Sequence, residues 1–173
     1  MLSEEERQEL DKEIKHYEFD RAACIEGLKI LQRHRGGWIS DESIKDLAEY
    51  LNMSPEQVDN VATFYNLIYR KPVGRNVILL CDSISCWVLG YENVLNNLQE
   101  RLGIGLGETT EDGEFTLLPM ACLGACERAP AMMIGEQLYH NLTPEKLDQI
   151  LEGYKSSQPV TGAVGESNGK TTQ

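Results

Sequence analysis

The chain has 173 residues, 41% of them hydrophobic, and 28 acidic against 16 basic side chains give a formal charge of −12. That length holds one ordinary domain or two small ones, and the acidic balance excludes nucleic acid as a partner, because phosphate demands a basic face. No apolar run nears the roughly 18 residues of a membrane span, so no direct membrane insertion is expected, and the composition fits a soluble cytoplasmic protein.

The first part reads as helices. The start, Met1-Leu2-Ser3-Glu4-Glu5-Glu6, has neither the basic nor the apolar region of a secretory signal. Its acidic residues suit a helix N-terminus, and Leu10, Ile14 and Tyr17 form one stripe, predicting a helix over residues 4–17. A second is predicted over 21–34, with Cys24, Ile25, Leu28 and Leu31 at helical spacing, ending at Gly36-Gly37; Cys24 reads there as a small core hydrophobe. Ser40 caps a third, with Ile44, Leu47, Ala48 and Leu51 inward. Ser54-Pro55-Glu56-Gln57 starts a fourth with an N-cap, a first-position proline and a capping-box glutamine. It runs through Val58, Val61, Phe64, Tyr65 and Leu67 toward Pro72.

The tight turn between the last two helices raises the possibility of a DNA-reading helix-turn-helix. Residues 40–70 carry six acidic side chains and two basic ones, a formal −4, and phosphate would repel such a face. Helical packing is the better reading.

Beyond Pro72-Val73-Gly74-Arg75 the periodicity changes. Asn76-Val77-Ile78-Leu79-Leu80 is a buried-strand run delivering Cys81. A helix is predicted over 91–102 with Val94, Leu95 and Leu98 inward, and a second strand over 115–120 delivers Cys122. Residues 131–134 and 137–140 read as a hairpin turning at Gly135-Glu136, and Thr143-Pro144 starts a last helix through Leu147, Ile150 and Leu151. This order, β-α-β-β-α or close to it, is the thioredoxin-like arrangement. Gly103-Ile104-Gly105-Leu106-Gly107 follows a helix rather than a strand, so it reads as a helix stop and not a dinucleotide loop. Met132 and Met133 read as strand residues rather than heme ligands. From Ser156 the chain is rich in Gly, Ser and Thr without an aromatic residue, and such a segment has too little to bury to offset its ordering entropy. The expected class is therefore α+β: an N-terminal helical bundle over 1–72, a thioredoxin-like α/β domain over 73–155 and a flexible tail over 156–173.

The chemistry lies in two cysteine pairs, Cys81-Asp-Ser-Ile-Ser-Cys86 and Cys122-Leu-Gly-Ala-Cys126. Both begin where a predicted strand stops, the place where open α/β sheets build sites. Each pair has the reach to clamp one iron of a 2Fe-2S rhomb, which takes four thiolates. Zinc is the rival, since it also accepts four thiolates, though its usual knuckle has two residues between cysteines. An odd count of five cysteines in a chain without a secretory signal argues against a disulfide framework. No base stands in a recognisable relation to a cysteine among His16, His34 and His140, as nucleophilic catalysis would require.

Together with these pairs, Val61-Ala62-Thr63-Phe64-Tyr65 and Pro72-Val73-Gly74-Arg75 resemble the small iron–sulfur subunit of the NADH dehydrogenase module of respiratory complex I, over about residues 10–155. The resemblance implies one 2Fe-2S cluster held by Cys81, Cys86, Cys122 and Cys126, with no catalytic residue of the chain's own. It implies a larger flavoprotein partner that binds NADH and FMN, with which the chain exchanges single electrons on the way to quinone. It also implies a place peripheral to the inner membrane through the parent complex. Related subunits serve NAD-linked hydrogenases and formate dehydrogenases. The alternative class is a free-standing ferredoxin that diffuses between partners, which would leave the helical first part without a role.

Overall fold

The computed structural model describes residues 1–156; the expected tail lies, from residue 157 onward, outside the described residues. Four helices come first: α1 (Glu4–Ile14), α2 (Cys24–His34), α3 (Asp41–Tyr50) and α4 (Pro55–Phe64). Ser3 and Glu6 cap α1 reciprocally. The Ser3 hydroxyl accepts from the Glu6 N–H at 3.1 Å, and the Glu6 carboxylate accepts from the Ser3 N–H at 2.7 Å. Ser54 and Gln57 make the same box at α4, as its sequence predicts, with Pro55 at the first helical position. Ser40 caps α3 by accepting from the Ser43 N–H.

Three boundaries differ from expectation. α4 stops at Phe64 and does not run on through Tyr65 and Leu67, because the Tyr65 backbone is already extended. α1 stops at Ile14 and not at Tyr17, because the N–H groups of His16 and Tyr17 bond to carbonyls three residues back, at Glu13 and Ile14, the tighter turn that closes helices. α2 begins at Cys24 and not at Arg21, because Phe19 is extended and Asp20–Ala23 form a 3₁₀ turn. The helices share one buried cluster that includes Leu10, Leu28, Leu31, Leu47 and Val58, with Cys24 inside it. One ion pair enters this layer. The Arg35 guanidinium forks onto Glu6, at 2.6 and 2.9 Å, and its remaining arm reaches Asp46 at 2.8 Å. That bidentate contact holds the Glu6 carboxyl down at about 2 from the usual 4.5.

The second part contains β1 (Asn76–Cys81), α5 (Ile84–Val88), α6 (Tyr91–Leu102), β2 (Phe115–Met120), β3 (Ala131–Ile134), β4 (Gln137–His140) and α7 (Pro144–Ser156). The observed order, β-α-α-β-β-β-α, adds α5 to the expected one and counts both arms of the hairpin. The sheet runs β2-β1-β3-β4, with β1 parallel to β2 and β3 antiparallel to both its neighbours. β1 is interior, and both its faces are covered. Ile78 and Leu80 pack with Phe115, Leu117 and Met132 against Val94 and Leu98 of α6 and Leu147 and Leu151 of α7. Val77 and Leu79 face the other way, onto Met120 with Tyr69 and Val73. An unbroken apolar run is what a strand covered on both sides requires.

Gly74 fastens the junction between the two parts. Its N–H donates to the Thr116 hydroxyl at 2.6 Å. A Cβ placed there would lie 2.9 Å from the Gly113 carbonyl oxygen and 3.0 Å from the Phe115 carbonyl carbon, so the close approach excludes a side chain. With this anchor the helices stand beside the sheet, and Asn66, just past α4, donates to the Met120 sulfur at 3.5 Å.

Candidate metal centre

Parallel strands β1 and β2 end at the same level, the last register pair being Cys81 opposite Met120. Cys81 is thus placed by the final residue of one strand and Cys122 by the loop that leaves the other. The backbone after Cys81 turns at once into α5, whose N-cap is Ser83 and which carries Cys86 inward. After Cys122 a loop turns through Gly124, at φ +74°, and leads into a 3₁₀ turn at Cys126–Arg128. The small residues of Cys122-Leu-Gly-Ala-Cys126 matter here, because only glycine takes that backbone shape freely.

The four sulfurs form one neighbourhood. Cys81 and Cys86 are buried, together with Ala125 and Ala131; Cys122 and Cys126 are exposed. The Cys86 thiol is pushed up to about 11, first by burial and then by its bond to Cys81, with the Ala131 N–H opposing. The Cys122 thiol is lowered, first by the Gly124 N–H, which donates to its sulfur at 3.4 Å, and then by Cys126, Ser83 and Cys81. Burial and like neighbours penalise a second thiolate, while a bound cation reverses that penalty and deprotonates its thiol ligands. Two sulfurs of the site, those of Cys86 and Cys122, already receive backbone N–H donors, contacts that no sequence motif announces.

Among the described residues no group of three or more His, Cys, Asp or Glu side chains is disposed to hold a single metal ion. A binuclear cluster asks for something else: two thiolates per iron, the irons held apart by bridging sulfides. The two pairs, one at each adjacent strand end, fit that division. Cys24, its thiol also raised to about 11 by burial, belongs to the helical core, as its position on the apolar stripe of α2 predicts. His140 comes closer to the site than its sequence position suggests. Its Nε2 accepts from Arg128 at 3.0 Å, two residues beyond Cys126, and Arg128 also pairs with Glu127 at 3.0 Å. A cleft of about 1010 Å³ lies elsewhere, lined by Gly37, Val73, Arg75, Lys146 and Tyr154. Its cations are engaged, Arg75 by Glu114 and Lys146 by the His140 carbonyl.

A mixed four-stranded sheet backed by α6 and α7, with four thiols gathered at the ends of two parallel strands, defines a small thioredoxin-like iron–sulfur domain. The chain belongs to the thioredoxin-like 2Fe-2S ferredoxin family, whose pattern matches residues 10–155, and a 2Fe-2S cluster is the family's cofactor. The chain is 48% identical over 154 residues to the E subunit of NADH-quinone oxidoreductase from Pseudomonas aeruginosa, covering 89% of this chain and 92% of that one. Over the same 89% it is 49% identical to the corresponding protein of Buchnera aphidicola from Acyrthosiphon pisum, 94% of which is covered. With the Escherichia coli K12 counterpart the identity is 48% and the coverage 92% of that chain. The fold is shared with the crystal structures of an NAD+-reducing NiFe hydrogenase in its H2-reduced and air-oxidized states. The TM-scores are 0.65 and 0.64 at 23% and 22% identity, over 76% and 80% of this chain. This chain spans only 22% and 23% of the length of those hydrogenase chains. No helix among the described residues is long and apolar enough to cross a membrane.

Proposed function

We propose that Cys81, Cys86, Cys122 and Cys126 hold one 2Fe-2S cluster, and that the chain is the electron-transfer subunit of an NADH:quinone oxidoreductase. In this reading it exchanges single electrons with the FMN of a flavoprotein subunit that binds NADH, peripherally at the cytoplasmic face of the inner membrane. The observation that carries the proposal is the meeting of both cysteine pairs at the level ends of β1 and β2. Identity near one half over 89% of the chain to three NADH-quinone oxidoreductase proteins supports the parent complex.

When bound, the cluster supplies a one-electron couple. The chain's own residues set its surroundings. Cys81 and Cys86 keep one side of the site away from water, and Cys122 and Cys126 leave the other open to a partner. The N–H groups of Gly124 and Ala131 favour negative charge on the sulfurs, while the neighbouring carboxylates Asp82 and Glu127 oppose it; both terms bear on the potential. The test is iron and sulfide analysis of the anaerobically purified chain, with electron paramagnetic resonance after dithionite reduction. Two irons and two sulfides per chain with a 2Fe-2S signal are expected. Stoichiometric zinc without sulfide would overturn the ligand assignment.

A further inference from the structure

Residues 76–145 supply all four cysteines and carry ten acidic side chains, but only two of Lys or Arg, Arg101 and Arg128. The two are held differently. Asp148 grips Arg101 through both carboxylate oxygens, so that cation is largely cancelled where it stands. Arg128 belongs to the 3₁₀ turn that begins at Cys126. Its Nε donates to Glu127 at 3.0 Å, but the two side chains are 49% and 67% exposed, and water screens such a pair. Its second contact is the Nε2 of His140, at 3.0 Å. A guanidinium only donates, so this ring nitrogen accepts, and an accepting imidazole brings no negative charge to offset the cation.

Backbone bonds fix that contact. The Asn141 N–H donates to the Arg128 carbonyl at 2.8 Å, and the Leu142 N–H donates to the Pro130 carbonyl at 3.3 Å, so the chain leaving β4 is fastened along the loop that leaves Cys126. From α7, Lys146 donates to the His140 carbonyl. The half-buried His140 is thus tied on one side to the last helix and on the other to the cysteine turn.

We infer that Arg128 sets the potential of the cluster by its charge, and that His140 is the positioning residue that keeps that charge beside Cys126. The inference rests on the functional reading above and adds how the same site is tuned. Reduction puts one more negative charge on a centre that four thiolates already make anionic, inside a stretch of chain dominated by carboxylates. Those carboxylates favour the oxidised state, and a fixed cation two residues from a ligand favours the reduced one. A unit charge roughly 10 Å away, through an effective dielectric of about 20–40, shifts a one-electron equilibrium about four- to sixteenfold. Half-exposure and the Glu127 pair reduce that effect. The anchor on His140 preserves it, because a guanidinium swinging freely into water would be screened.

The experiment is a spectroelectrochemical titration of the full-length, cluster-bearing chain as wild type, Arg128→Gln, Arg128→Lys, His140→Phe, the double variant Arg128→Gln/His140→Phe, and Arg75→Gln. The visible spectrum with iron and sulfide content reports that each is loaded. Arg75→Gln is the matched control: it removes the same charge at the far end of β1 from Cys81, about 20 Å away by strand rise and beyond a screening length of about 8–10 Å. Arg128→Gln is expected to lower the ratio of reduced to oxidised centre at a fixed potential about three- to tenfold, a midpoint about 30–60 mV lower. Arg128→Lys, which keeps the charge, should shift less, His140→Phe should shift in the same direction by a smaller amount, and Arg75→Gln should not shift. The double variant should match Arg128→Gln alone, because His140 acts through Arg128; additive shifts would overturn the positioning role. A loaded Arg128→Gln centre that titrates as wild type overturns the inference and leaves the functional reading standing. An equal shift in Arg75→Gln does the same, since net charge would then be the cause. Should Arg128→Gln not load, His140→Phe decides, because it leaves the cysteine turn intact: an unshifted midpoint there overturns the inference. A wild-type chain that binds no iron and sulfide defeats the functional reading, and the inference falls with it.

Discussion

Cys81 stands directly opposite Met120 on the last rung of the parallel pair β1–β2, so the strand that ends in one cysteine and the strand that leads to Cys122 stop side by side. The two pairs, far apart in sequence, therefore share one edge of the sheet without any long-range contact having to be read from the sequence. A parallel register does this because both strands deliver their following loops to the same end.

The first expectation follows from that meeting. Replacing Cys81, Cys86, Cys122 or Cys126 by Ala should abolish the visible spectrum and lower the melting temperature, because bound metal contributes folding free energy. Cys24→Ala should keep the spectrum and cost roughly 1–2 kcal/mol, the scale of a small core truncation. A bleached Cys24→Ala variant beside a fully coloured variant of one of the four would reverse the assignment.

A second expectation concerns the potential. The Ser83 side chain bonds to Cys122 and favours its thiolate. A hydrogen bond to a cluster sulfur stabilises the more negative, reduced state. Removing about 1 kcal/mol of such stabilisation corresponds to a few tens of mV in a one-electron couple, where about 59 mV is tenfold. Ser83→Ala should therefore lower the midpoint potential by roughly 20–60 mV with iron content unchanged. An unchanged or raised potential in a spectroelectrochemical titration would remove Ser83 from this role.

Much of this site is legible in the sequence. The apolar run Asn76–Leu80 reads as a covered strand and is one, and α6 begins and ends at the expected Tyr91 and Leu102, where the αL glycines Gly90 and Gly103 bound it. α5 is not legible. Its five residues are too few to show a period, and Ile84, Trp87 and Val88 point outward, the reverse of the pattern that marks a helix. The end of α1 is misplaced by the pattern for a related reason: Tyr17 lies on the stripe of Leu10 and Ile14 by spacing alone, yet stays exposed beyond the tightened turn. The N–H donors to sulfur are invisible too, since loop backbone direction depends on φ at Gly124 and not on residue type elsewhere in the pair.

The junction supplies a third expectation. A methyl at Gly74 meets backbone atoms of Gly113 and Phe115 that have no rotamer by which to retreat, so Gly74→Ala should destabilise by about 1–3 kcal/mol. Thr116→Val leaves the Gly74 N–H buried without its acceptor, also about 1–3 kcal/mol. Urea unfolding of the two single variants and the double variant tests this. Because both act on one contact, the double variant should lose less than the two singles added together.

Acid supplies a fourth. Glu6 titrates at about 2 in the folded chain because Arg35 bonds to its carboxylate, and near 4.5 when unfolded. A lowered carboxylate contributes stability that is complete above the unfolded value and is lost as pH falls through the folded one. The ionised Glu6 carboxylate, held by Arg35 first and also by the Ser3 N–H, should thus contribute about 3 kcal/mol at neutral pH that disappears between roughly pH 5 and 2. Glu6→Gln should show a flatter acid limb in stability measured against pH; an unaltered limb would show that other carboxylates, Asp46 among them, govern it.

The last expectation is functional. NADH delivers a hydride, two electrons with a proton, whereas a 2Fe-2S centre accepts one electron, so a flavin must stand between them to split the pair. Neither cation lining the large cleft is free to hold a phosphate, Arg75 being taken by Glu114 and Lys146 by a carbonyl, and the Gly103–Gly107 run follows α6 without the strand and helix a dinucleotide loop needs. The purified chain should therefore leave NADH unoxidised, and adding the FMN-bearing subunit should allow NADH to reduce the centre, followed by its paramagnetic signal. A potential far below that of NADH would keep the signal small, each 59 mV costing about tenfold in the reduced fraction, so association is the firmer readout. A stoichiometric complex should form, and deleting residues 1–72 should weaken it, because the exposed Phe64, Tyr65 and Leu67 go with them. Turnover of NADH by the chain alone, or failure to bind the flavoprotein at any ratio, would refute the assignment.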